Sequence, residues 1–111
     1  MKRKQITIYP YYQILEIIVC KNFTKHLDKN KLTYDKSLPV NTWESFVAFE
    51  YDKMWIFLRS KTDAGVIAHE AVHITNYVFK HANIALDINN DEPYAYLLGW
   101  IVEEIHKVQK K

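Results

Sequence analysis

The stretch that decides the fold runs from Asp63 to Ala82 and reads DAGVIAHEAVHITNYVFKHA. Ile67, Ala71, Ile74 and Val78 recur at i, i+4, i+7 and i+11, the spacing of a single helix face. His69, His73, Asn76 and Lys80 fall on the opposite face. Thr62 or Asp63 supplies an N-cap oxygen, so the spacing predicts one long amphipathic helix over 63–82. Such a helix has to bury its apolar face against another layer.

That layer is expected upstream, where the apolar period is shorter. Ile6-Thr7-Ile8-Tyr9 alternates and is β-branched, and it stops at Pro10. Ile14 to Val19 is a short apolar run that reads as a second strand, with a buried helix as the alternative. Asn22 to Asn30 places Phe23, His26 and Leu27 at helical spacing, and Lys31 to Val40 is a polar connection. Thr42 to Phe49 and Met54 to Leu58 then form a hairpin around Glu50-Tyr51-Asp52-Lys53. Downstream, the Asn- and Asp-rich loop 83–90 leads to a last helix. Pro93 is tolerated only in a first turn, so this helix starts at Asp91 or Glu92 and buries Leu97, Leu98, Ile101, Ile105 and Val108. The expected fold is α+β: a small, mostly antiparallel sheet packed against two long C-terminal helices, one domain over residues 1–111.

Composition agrees with a packed domain. The chain is 49% apolar and 14% aromatic, enough for one core. Net charge is +2, too small to imply a nucleic-acid groove, and the basic clusters at Met1–Lys4 and Lys107–Lys111 read as solvated ends. Nucleic acid is therefore not an expected partner. The single Cys20 has no intramolecular partner and reads as a buried, inert thiol. Gln5, Pro10, Gln13 and Glu16 interrupt any signal-like apolar run, and no stretch approaches the roughly 20 apolar residues of a membrane helix. The expectation is a soluble, cytoplasmic protein. Trp43, Trp55 and Trp100 read as core anchors, and His26 and His106 as surface histidines.

His69-Glu70-Ala71-Val72-His73 is the constellation that carries chemistry. Two histidines one turn apart on a helix suit two ligands of a tetrahedral metal; imidazole favours zinc, with copper, nickel and iron chemically open. Glu70, about a quarter turn away, is placed to act as general base on a metal-activated water. The bland alternative is a helix face with two solvated imidazoles. A catalytic zinc takes a third protein ligand, for which Glu92 is the candidate and Asp91 and Asp87 its rivals. Asp87 also suits a bond to the outer nitrogen of a ligand histidine, and Glu92 also suits simple compensation of a helix N-terminus. Tyr77, Tyr94, Tyr96 and His81 lie within sequence reach as donors to a transition state, with none singled out.

With these residues assembled, the chain resembles the zincin superfamily, and more closely the small metallopeptidase-like proteins of phages and prophages. The likeness rests on Ile67 to His73 and on Asn90-Asp91-Glu92-Pro93-Tyr94-Ala95-Tyr96 leading into Leu97 to Ile101. A His-Glu-x-x-His helix followed by a glutamate on the next helix is also similar to the gluzincin peptidases. The resemblance implies a minimal zincin-like fold with Zn2+ on His69, His73 and Glu92, and Glu70 as base. Where gluzincins often carry an aspartate four residues beyond the glutamate ligand, this chain has Tyr96. It further implies that an extended substrate adds to a sheet edge beside the metal helix, with Met54–Leu58 or Thr42–Phe49 as the strand. The expected activity is zinc-dependent hydrolysis of a peptide or protein, and for a phage-encoded chain the setting would be the host cytoplasm. The alternative is a non-catalytic metal-binding protein of the same fold that acts on a host protein by contact.

Overall fold

The computed structural model describes residues 1–110; Lys111, counted above with the basic C-terminal end, lies outside the described residues. In chain order the elements are β1 (Lys2–Ile8), β2 (Gln13–Val19), α1 (Phe23–Lys29), a single 3-10 turn (Val40–Thr42), β3 (Ser45–Glu50), β4 (Lys53–Leu58), α2 (Ala64–His81) and α3 (Glu92–Lys110). The fold is α+β, with a sheet in the order β1-β2-β4-β3. β1 and β2 form one antiparallel hairpin, with Lys2 opposite Val19, and β3 and β4 form another, with Ser45 opposite Leu58. The two hairpins join through a parallel pairing of β2 with β4, Ile14 opposite Lys53 and Val19 opposite Leu58.

β2 and β4 are central, and their sequences show why. Both are nearly continuous apolar runs, which suits strands covered on both faces. On one face Ile8, Leu15, Ile17, Met54, Ile56 and Leu58 pack against Ile67, Ala71, Ile74 and Val78 of α2 and Leu97, Ile101, Ile105 and Val108 of α3. On the other, Ile18, Trp55 and Phe57 meet Phe23 and Leu27 of α1 and Leu32 and Val40 of the connection after it. The one acid on these strands, Glu16, is 2% exposed and paired with Arg3 and with Lys53 at 3.2 Å. Removal of either cation alone would leave buried charge undercompensated.

Helix α2 occupies the expected span. Asp63 holds the N-cap position, but its side chain accepts no capping bond; its carbonyl takes the amides of Val66 and Ile67 at 3.1 Å each. The helix ends because Asn83 turns left-handed (φ 56°), letting Ile84 N–H return to the Phe79 carbonyl at 2.9 Å. α3 then runs back antiparallel to α2. At its start the Tyr94 hydroxyl donates to Asn76 Oδ1, and near its end Gln109 Nε2 donates to the carbonyls of Arg59 and Thr62, just ahead of α2. Two expectations need correction. The third strand starts at Ser45 and not Thr42, because Thr42 closes the 3-10 turn with both its amide and its hydroxyl on the Pro39 carbonyl. Trp100 is not a core anchor: it sits one residue off the Leu97–Ile101 stripe of α3 and is 36% exposed. No helix of the described residues is long and apolar enough to cross a membrane.

Candidate metal centre

Burial of Ile67, Ala71, Ile74 and Val78 fixes the rotation of α2 about its axis. The same rotation turns His69 and His73 outward, beside the edge strand β3, and leaves Glu70 between the two faces, 8% exposed. Nε2 of His69 lies 3.3 Å from Nε2 of His73. Two imidazole lone pairs at that separation repel unless a proton or a cation sits between them. Tetrahedral angles and Zn–N bonds of about 2.0–2.1 Å put ligand nitrogens about 3.3–3.4 Å apart, and the observed separation matches that spacing. Oε1 of Glu70 is 3.9 Å from His69 Nε2, and ligand atoms of all three residues lie within 4.8 Å of one another.

Glu70 is held from the far side. The Ser45 hydroxyl donates to Glu70 Oε2 at 2.6 Å, leaving Oε1 toward the histidines. Ser45, Val47 and Phe49, alternate residues of β3, line an open groove of about 450 Å³ together with Trp43, Phe46, His69, Glu70 and His73. Being the last strand in the sheet order, β3 keeps one side of its backbone free of sheet pairing. Of the two strands considered for an added chain, Met54–Leu58 is eliminated, since β4 is paired on both sides. The edge strand is β3, Ser45–Glu50, which overlaps the other expected segment, Thr42–Phe49.

Glu92 is not brought into the cluster of ligand atoms, which comprises His69, Glu70 and His73 among the described residues. The first turn of α3 reaches α2 through Tyr94, whose hydroxyl bonds Asn76 Oδ1 at 2.6 Å and approaches the Val72 carbonyl at 3.4 Å; Glu92, two residues earlier, stays exposed. Asp91 is exposed as well, and Asp87 is occupied within its loop, accepting from the Asn89 amide at 2.9 Å. Tyr77 is engaged outside the ligand cluster: its hydroxyl bonds the Tyr51 carbonyl at 2.9 Å, and its ring is stacked between Phe49 and His81. Burial, followed by Asp52 and Glu50, pushes the Tyr77 phenol up, and burial alone does so for Tyr94, so both remain donors at neutral pH. Tyr96 is 75% exposed, on a different groove with Tyr9, Tyr11 and Trp100.

The residues that sequence reading missed are Ser45 and the aromatic walls Trp43 and Phe49. A lone serine at the start of a strand carries no periodic signal; only the packing that puts β3 beside α2 reveals its partner. Compared with protein-family models, curated proteins and solved structures, the chain matches none.

Proposed function

We propose that the chain is a zinc-dependent hydrolase that cleaves a peptide bond in an extended segment laid along β3. The observation that carries this reading is the 3.3 Å separation of the His69 and His73 Nε2 atoms, with a buried carboxylate beside them. His69 and His73 would hold the ion. Glu92 is the proposed third protein ligand, and its exposed carboxylate would have to swing toward the pair from the head of α3. Bound there, zinc supplies Lewis acidity toward the substrate carbonyl and an acidified water.

Glu70 is the proposed general base. With Oε2 engaged by Ser45, Oε1 takes the proton from the attacking water and passes it to the leaving amine. The free backbone of β3 offers N–H and C=O groups to an extended chain, and Trp43, Val47 and Phe49 offer apolar surface to its side chains.

The exposure of His69, 71% by side chain, and the position of Glu92 outside the cluster favour a second reading, a metal-binding protein that acts on a partner by contact. Cleavage of a broad peptide library by wild type and by Glu70→Gln separates the two. Cleavage abolished in the variant while bound zinc is retained supports the hydrolase. Stoichiometric zinc with no cleavage by either protein supports the contact reading.

A further inference from the structure

A second concavity lies where β2 leads into α1. It measures about 420 Å³, within the range of roughly 300–1,000 Å³ usual for small-molecule sites. Lys2, Lys21, Lys25, His26 and Arg59 line it together with Val19, Cys20, Asn22 and Ser60, and no acidic side chain of the described residues does. The chain as a whole carries a net charge of only +2, so this concentration of one sign is local.

The cations divide into fixed and free. Arg59 is built into the wall: Nε donates to the Trp43 carbonyl at 3.1 Å, the two other nitrogens donate to the carbonyls of Lys21 and Asn41, and the guanidinium lies over the Phe23 ring at 3.9 Å. Its charge is fixed in place, with three of its five N–H donors already engaged. Lys2 is similarly tied, to the Gln109 carbonyl at 2.9 Å. Lys21 and Lys25 are exposed and His26 is half-buried, and none of the three makes an ion pair among the described residues. The amides at the start of α1 are already taken, those of Phe23 and Thr24 by Asn41 Oδ1 and that of Lys25 by Asn22 Oδ1, so the side-chain cations and the Met1 amino group set the field here. Burial, then Lys25, Lys29 and Arg3, hold the His26 imidazole below its usual range, with no acid opposing them.

We propose that this cavity binds the phosphate group of a small organic phosphate. A compact dianion answers the point charges of Lys21 and Lys25, which line the same cavity, better than a carboxylate does, and the apolar wall of Val19 and Cys20 suits an organic remainder. The patch is a pocket at one end of the sheet and not a stripe, which distinguishes it from a nucleic-acid track. Cys20 is 7% exposed and its thiol is pushed up by burial, so the site is one of binding and not of thiol chemistry.

The test is an amide-resolved NMR titration of the full chain at fixed ionic strength with three probes: inorganic phosphate, a nucleoside monophosphate and a single-stranded oligonucleotide. Saturable shifts with the monophosphate, confined to Cys20–His26 and Arg59–Ser60, are expected. The Lys21→Ala/Lys25→Ala variant, both positions exposed and the fold checked by amide dispersion, should weaken that binding at least about tenfold. An absence of saturable shifts, or equal binding by the variant, overturns the proposal. Response to inorganic phosphate alone reduces the site to an ion site and overturns its organic part, and binding of the oligonucleotide alone reassigns the patch to nucleic acid.

Discussion

Ser45, on the free edge of the sheet, donates its hydroxyl at 2.6 Å to Oε2 of Glu70, which follows it by 25 residues. This bond couples the strand proposed to receive substrate to the carboxylate proposed to move the proton. It also satisfies half of a nearly buried carboxylate that has no Lys or Arg partner among the described residues. Ser45→Ala should therefore cost about 1.5 kcal/mol of stability, read as a lower urea midpoint. Under the hydrolase reading it should also lower kcat/KM roughly tenfold with zinc stoichiometry unchanged. Unchanged stability would show that the hydroxyl contributes nothing to holding Glu70.

Glu92→Gln tests the third ligand. If the carboxylate swings in to complete the site, the variant should bind zinc about 10- to 100-fold more weakly in a competitive chelator titration, with the fold intact because the position is exposed. Equal affinity would leave the ion held by the histidine pair with water or substrate completing its shell.

Much of this was legible beforehand. The apolar spacing from Ile67 to Val78 gave α2 to within a residue at each end, and Pro93 located the start of α3, since both signals are local. The facing of His69 and His73 followed from the same periodicity. The parallel β2–β4 pairing was not legible: it joins segments across α1 and a long connection, and a continuous apolar run does not specify its neighbour. For the same reason neither the identity of the edge strand nor the Ser45–Glu70 bond was readable. The first turn of α3, which carries Glu92, meets α2 through Tyr94 and Asn76, a tertiary contact without a sequence signal.

Ile74 is fully buried where α2 meets the sheet. Ile74→Ala should destabilise by about 2–5 kcal/mol, a large part of the stability of a small domain, seen in the urea or thermal midpoint. A loss under 1 kcal/mol, by order of magnitude, would contradict the packing of α2 on the sheet.

Tyr77→Phe separates a structural role from a chemical one. It removes the bond to the Tyr51 carbonyl but keeps the stack on Phe49 and His81, so stability should fall by about 1 kcal/mol while zinc affinity and any turnover stay unchanged. A fall in kcat without loss of stability would place the phenol at the reacting atoms.

Cys20 offers a probe of folding. Burial raises its thiol, with Arg59 opposing, so the thiolate fraction in the fold is small at neutral pH and grows only as pH rises above that of an ordinary cysteine. Alkylation of the native chain near pH ~8 should be at least about tenfold slower than in denaturant. Equal rates would show that the packing of Cys20 with Phe23 and Phe57 on the α1 side of the sheet is open.

The central claim is that His69 and His73 share a cation, and a zinc titration of the metal-free chain tests it most directly. One zinc per chain is predicted, bound by wild type and by Glu70→Gln and lost in His73→Ala at the same protein concentration. Binding undiminished in His73→Ala, or no binding by the wild type, would contradict it.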